Sequence, residues 1–224
     1  MKKRIQIDSL LLALLVILTG LFYGFPHLYS TRHFMVNFWN VLGFVAIMKG
    51  AFIRMAARGH KKAHSLQGSG LVTTGLYGYI RNPMYLGTYL IGAGFALIVW
   101  PWWMLPIFAW IFYLRFRRQV IKEEKFLTKT FGEEYRKYCQ SVARIFPHWR
   151  QIWTLNMKEA FRPEEVWTTG EKYILFFLPI LAALLGMLKQ QLIFGTVHFA
   201  ETLALLTIAV GIFIVGFQVR YRLS

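Results

Sequence analysis

The sequence predicts an all-α integral membrane protein with about six transmembrane helices, and three observations carry that reading. Hydrophobic residues fill 56% of the 224 positions and the mean hydropathy is +0.43, above what a soluble domain shows. Six apolar stretches, at about 7–25, 34–53, 83–100, 102–118, 172–188 and 203–219, approach the ~20 residues that cross a hydrocarbon core as a helix. The Lys and Arg residues fall in alternate gaps between those stretches.

The first stretch sits in MKKRIQIDSLLLALLVILTGLFYGF. No cleavage site of small residues follows it, so it is expected to stay as a first membrane helix and not to be removed as a signal peptide. The second stretch carries one charge, Lys49. The third and fourth are joined by Trp100-Pro101-Trp102-Trp103, which leaves room only for a tight helical hairpin with its indoles at the lipid interface. Pro106 falls in a first helical turn, where the missing N–H costs nothing. The last two stretches form a second hairpin. Three regions follow: an N-terminal transmembrane helix pair (1–60), a core of polar loop, membrane hairpin and charged helix (61–150), and an amphipathic connector with Trp153 and Trp167 leading into a C-terminal hairpin (151–224).

If both termini and the segments 54–82 and 119–171 face the cytosol, 23 of the 26 Lys and Arg residues lie inside, with Arg32 and Lys189 opposite. The net charge of +16 is then a consequence of membrane topology, and nucleic-acid binding is set aside. The single Cys139 excludes an internal disulfide. Strands and helices do not alternate, which argues against a soluble dinucleotide-binding domain.

Polar and ionisable groups near a bilayer are costly and usually face a cavity or the cytosol. Two clusters qualify. The first is HSLQGSGLVTTGLYGYIRNPMYLG, residues 64–87. Its glycines do not have the G-x-G-x-x-G spacing, so they carry no nucleotide signal by themselves. Asn82-Pro83 has a structural reading as N-cap and first helical residue. A functional reading stands beside it, because Tyr77, Tyr79, Arg81 and Tyr85 crowd a helix N-terminus whose free N–H groups suit an anionic group. The second cluster is IKEEKFLTKTFGEEYRKYCQSVARIFP, residues 121–147, where Leu127, Phe131, Tyr135 and Tyr138 recur at helical spacing and suggest an amphipathic helix on the membrane surface. Glu123 and Glu124 can pair with lysines on a solvated face, or, held near the Arg81–Tyr85 mouth by the hairpin, can receive a cationic ligand. His60 and His64 share a helix face, but with no third ligand in view they are not expected to hold a metal. His27, His33, His148 and His198 read as loop or interfacial residues.

LVTTGLYGYIRNPMYLG followed, after a hairpin, by EEKFLTKTFGEEYRKYCQSVARIFP resembles the isoprenylcysteine carboxyl methyltransferase family, itself similar to the phospholipid methyltransferases. The resemblance covers residues 66–147. It implies S-adenosyl-L-methionine as cofactor, in a cytosolic site formed by the loop and an interfacial helix. By the same resemblance Ser69, Gly70, Leu71 and Val72 line the adenosine pocket, and Tyr77, Asn82, Pro83, Met84, Tyr85, Glu123 and the adjacent Glu124 contact the cofactor. Arg81 is the Arg of the family's Arg-His-Pro-x-Tyr segment, with Asn82 where His is usual. Where related enzymes hold a substrate carboxylate with Arg, this chain has Gln119, so Arg117 and Arg118 become the candidate substrate-holding residues. The substrate implied is a lipophilic molecule dissolved in the bilayer. The competing expectation is a membrane reductase of the sterol or steroid type using NADPH, which would require further basic residues for the nucleotide phosphates.

Overall fold

The computed structural model describes residues 15–29, 32–65, 70–147, 155–167 and 169–223. Ser69, His148, Trp153 and the start of the first apolar stretch lie outside the described residues. Eight helices are labelled in chain order: α1 (15–23), α2 (His33–His64), α3 (Pro83–Val99), α4 (Leu105–Ser141), the single turns α5 (Met157–Ala160) and α6 (Pro163–Val166), α7 (Lys172–Phe194) and α8 (Phe199–Leu223). Among the described residues no strand forms; one parallel bridge joins Ile80 to Ala143.

Among the described residues, three helices are long and apolar enough to cross a membrane: α2, α7 and residues Phe199–Arg222 of α8. Their outer faces show the expected surface, with Phe176, Phe177, Ile180 and Leu184 of α7 and Ile212, Val215 and Val219 of α8 exposed. On a soluble protein such a continuous apolar surface would be an aggregation site; against lipid it is the stable arrangement. The third expected stretch is α3, apolar but only 17 residues long. The fourth differs from its expected form. Trp102–Met104 make a 3₁₀ turn, and the apolar residues after it are the first part of α4, which runs on through the charged segment for 37 residues in all.

α2 and α3 approach backbone to backbone at two places. A Cβ on Gly87 would meet the Gly50 carbonyl oxygen at 2.6 Å, and one on Gly94 would meet that of Gly43 at 2.5 Å. The two glycine pairs are seven residues apart on each helix, so one stripe of each faces the other. Small residues at helix crossings are how membrane helices gain dispersion contact where the hydrophobic effect offers none. The contact also brings the C-terminal half of α2 alongside the N-terminus of α3.

Two buried clusters fix the remaining helices. Phe44, Ile47 and Met48 of α2 pack with Ile98 of α3, Ala182 of α7 and Leu205 and Ala209 of α8. Further along α2, Met55, Ala56 and Ala57 pack with Leu76, Met157, Phe161 and Val166. The three stretches into which the sequence divides therefore share their cores. Lys189 is buried inside the first cluster's end of the bundle, where its ammonium donates to the Ile98 carbonyl at 2.5 Å. α1 is held by Thr19, whose hydroxyl accepts from the Trp100 indole N–H at 2.9 Å.

Candidate functional site

α4 breaks at Gly132, whose φ of 54° and ψ of −123° lie outside the helical region. Glycine adopts this conformation without the Cβ penalty. The break turns Tyr135 and Tyr138 back so that they pack with Val142 against Leu71, Leu127 and Phe131. The face expected to lie on the membrane instead covers the loop that precedes α3. The chain after α4 then runs beside that loop: the Arg81 N–H donates to the Ala143 carbonyl at 2.8 Å, and the Asn82 side-chain amide donates to the Arg144 carbonyl at 3.0 Å. Asn82 does occupy the N-cap position of α3 with Pro83 behind it, yet its side chain makes no capping bond. The first turn of α3 thus points into the site without a side-chain cap.

A cavity of about 560 Å³ opens between this loop, α2, α3 and α4. Gly70, Leu71 and Val72 form one wall and Asn82, Pro83, Met84 and Tyr85 another; Tyr77, Arg81 and Glu123 also line it. The two sequence clusters, some 40 residues apart in the chain, meet here. Phe116, Leu127, Tyr135 and Tyr138 complete the apolar wall.

The adjacent carboxylates separate. Glu123 faces the cavity, where its Oε1 accepts the Tyr85 hydroxyl at 2.7 Å and the Gln119 amide at 2.9 Å. Glu124 does not line the cavity. It accepts two bonds from the Arg144 guanidinium, at 2.7 and 3.0 Å, and stands 3.2 Å from Arg81. Arg81 in turn donates to Cys139 Sγ at 2.8 Å. Glu124 therefore staples α4 to both the loop and the segment after α4. Burial lowers the Arg81 pKa, but Glu124 together with Cys139 and Tyr135 more than offsets it, so the net shift is upward and the guanidinium stays charged. Burial, with the Glu123 charge second, raises the Tyr77 phenol. Burial likewise raises Tyr138, whose hydroxyl donates to the Tyr77 carbonyl at 2.6 Å. Both stay neutral, so neither phenol supplies a base.

Arg117 and Arg118 are exposed and do not line this cavity. Arg117 lies over the Tyr113 ring, 5.9 Å from its centre, and borders a neighbouring apolar slot of about 150 Å³ between Tyr89, Phe112, Phe116 and Phe146. Besides Arg81, the cations that line the main cavity come from α2: Arg54, Arg58 and Lys61. Arg54 and Arg58 donate to one buried carboxylate oxygen of Glu171, at 2.9 and 2.7 Å. The other Glu171 oxygen is buried with no hydrogen-bond partner among the described residues. These residues were missed at the sequence level because positive charge at that position was already accounted for by topology, and Glu171 is more than 110 residues away in the chain.

His60 also differs from expectation. It is almost fully buried, and a third potential ligand, Glu165, stands beside it: its Nδ1 is 2.7 Å from Glu165 Oε2 and its Nε2 is 2.9 Å from Thr74 Oγ1. His60, His64 and Glu165 bring potential ligand atoms within 4.8 Å of one another. The close hydrogen bonds at both His60 nitrogens make this a clamp that ties α2 to the loop and to α6.

The family model described as phospholipid methyltransferase matches residues 11–134. A protein-S-isoprenylcysteine O-methyltransferase of Schizosaccharomyces pombe is 26% identical over 131 residues, 55% of each chain. A protein-S-isoprenylcysteine O-methyltransferase A of Arabidopsis thaliana is 31% identical over 147 residues, 62% of this chain and 72% of that protein. A steroid 5-alpha-reductase of Solanum lycopersicum is 31% identical over 103 residues, 45% of this chain and 40% of that protein. The match thus spans little more than half of the fission-yeast relative. No solved structure matches the chain.

Proposed function

The chain belongs to the phospholipid methyltransferase family, and from that premise we propose that it is an integral-membrane methyltransferase that uses S-adenosyl-L-methionine on a lipophilic substrate. The observation that supports this most is the meeting of Gly70–Val72, Tyr77, Asn82–Tyr85 and Glu123 around one cavity of about 560 Å³. The residues present suit the cofactor. Glu123, already accepting two hydrogen bonds, is an acceptor for hydroxyl or ammonium groups. Tyr77, Tyr85 and Phe116 supply aromatic faces, which attract a cation. When bound, the cofactor supplies an activated methyl group on a sulfonium, so no metal or covalent enzyme intermediate is required.

The chain's own contribution is then to position the acceptor and keep water out. The apolar slot beside Phe116 borders the main cavity through that ring and would receive an apolar tail, with Arg117 and Arg144 at its edge. Arg54, Arg58 and Lys61 would hold a polar or anionic head against the opposite wall. In this reading the protein has six spans, α3 and the apolar part of α4 forming a short hairpin. Both termini lie in the cytosol, on the side of the cavity.

A second reading, an NADPH-dependent reductase of the sterol or steroid type, is favoured by the same three cations, which suit nucleotide phosphates, and by the tomato relative. Glu123 beside them and the shared Glu171 counter-charge weigh the other way. Titration calorimetry of the detergent-purified protein separates the two. S-adenosylhomocysteine should bind with one site per chain and NADPH should not; the reverse result would replace the methyltransferase reading.

A further inference from the structure

We propose that His33, His198 and Glu201 form a Zn²⁺ site at the end of α2 remote from the cavity. His33 is the first residue of α2, Glu201 lies in the first turn of α8, and His198 immediately precedes α8. One ligand atom from each lies within 4.8 Å of the others. His33 Nδ1 is 3.2 Å from Glu201 Oε1. Two ligands held at ~2.0–2.1 Å on a tetrahedral zinc stand about 3.3 Å apart, so this pair already has the spacing of neighbouring ligands. The two imidazole rings meet edge to face, 6.1 Å between centres at 70°, which lets both ring planes reach a common point.

The contrast with His60, His64 and Glu165 is informative. Those two rings stack at 4.1 Å and 28°, so their planes converge only beyond bonding reach of a single ion. The 2.7 Å contact of His60 with Glu165 is a hydrogen bond, shorter than the spacing of two ligands on one zinc. The remote cluster has the geometry of a site; the cytosol-directed one has the geometry of a clamp.

The surroundings of the remote cluster hold its members in place. Asn37, one turn along α2 from His33, donates its amide to Glu201 Oε1 at 2.6 Å and orients that carboxylate. The backbone N–H of His198 donates to the Gln190 side chain at 3.3 Å. Gly195, with φ of 69°, ends α7 and returns the chain so that His198 reaches α2. A cavity of about 210 Å³ opens directly on the cluster, lined by both histidines with Asn37 and Gln190, and leaves room for a water or an exogenous ligand at a fourth position. Three protein ligands with one open position is the pattern of reactive zinc centres, whereas purely structural sites are closed. Two imidazoles with one carboxylate favour Zn²⁺ over Mg²⁺ or Ca²⁺, which take all-oxygen shells. From Asn37 to Arg54 is 17 residues of one helix, about 26 Å, so this site is separate from the proposed methyl-transfer cavity.

The test uses full-length, tag-free protein in detergent, stripped with chelator and titrated with Zn²⁺ alone. One equivalent should bind. H33A and H198A, both at exposed positions, should each weaken binding at least a hundredfold, and removal of the outer-shell amide in N37A should weaken it about tenfold. H64Q should leave it unchanged. Co²⁺ in place of Zn²⁺ should give the visible absorption of a low-coordinate site in the parent protein and not in H33A. The proposal is overturned if no equivalent binds, if H33A and H198A bind as the parent does, or if binding is lost in H64Q instead. Circular dichroism of each variant distinguishes a lost ligand from a lost fold.

Discussion

Tyr85, in the first turn of α3, donates its phenolic hydrogen to Glu123 of α4 over 2.7 Å, joining the two sequence clusters across the cavity wall. The bond places a carboxylate at a helix mouth lined with aromatic rings. It also fixes α4 in rotation, because the next residue, Glu124, must then point toward Arg81 and Arg144. One carboxylate is left available to a ligand and its neighbour is consumed in holding the site together.

Replacing Glu123 with Gln should weaken S-adenosylhomocysteine binding by about ten- to a hundredfold, from loss of a charge-assisted contact worth roughly 1.5–3 kcal/mol. The fold should survive, since Gln can still accept from Tyr85. Calorimetry measures the first and thermal unfolding the second. Unchanged affinity would assign Glu123 to the Tyr85 contact alone.

Glu124→Gln should do the opposite. Arg81 and Glu124 are largely buried, with side chains 14% and 12% exposed, so removing the carboxylate leaves a guanidinium uncompensated at a cost of order 3 kcal/mol. The expected result is a lower unfolding temperature by scanning fluorimetry, with ligand affinity falling only as far as the fold loosens. If Glu124→Gln lost affinity at full stability, Glu124 would be a ligand-contacting residue.

The sequence read well where a signal was local. Hydropathy found α2, α7 and α8, and Asn82-Pro83 marked the start of α3. What escaped depended on partners distant in the chain. Glu165 and Glu171 carry no motif, yet they decide what His60, Arg54 and Arg58 do. The glycine contacts between α2 and α3 were invisible because each glycine makes sense only opposite its partner. The division between the fourth span and the charged helix failed for a different reason. Hydropathy changes at Arg115 but helix propensity does not, and the chain first breaks at Gly132.

The clamp at His60 makes a backbone prediction. Gly75 has φ of 59°, and a Cβ there would stand 3.0 Å from the His60 ring. Gly75→Ala should therefore destabilise by about 1–2 kcal/mol for the left-handed backbone alone, and more if the ring must shift. Limited proteolysis should show faster cleavage between residues 65 and 82 than in the parent. Equal cleavage and an unchanged unfolding temperature would mean that the loop holds its shape without the clamp.

Topology is tested by labelling single cysteines in a Cys139→Ser background. Thr196, exposed in the turn between α7 and α8, should label from outside the cell. Lys61, at the other end of the bundle, should label only after permeabilisation. Outside labelling at Lys61 would invert the proposed orientation and place the cavity on the far side.

Arg58 separates the two functional readings. Its guanidinium lines the cavity, is 56% exposed on the side chain, and shares Glu171 with the more buried Arg54, so Arg58→Met removes charge from the cavity while Arg54 keeps the Glu171 pairing. Met also preserves much of the apolar stem. If the α2 cations hold the head of a methyl acceptor, Arg58→Met should leave S-adenosylhomocysteine affinity within about twofold and raise the KM for the acceptor about tenfold, the size of one charge-assisted bond. If they hold nucleotide phosphates, the same substitution should weaken NADPH binding instead. Arg117→Met and Arg118→Met should differ from it and from each other. Arg117 borders the apolar slot and should alter the preference for acceptor tail, whereas Arg118 is exposed and touches neither cavity, so its loss should change little. Equal effects of all three on one acceptor would show that they act through surface charge on the membrane, with no residue among them reading the substrate.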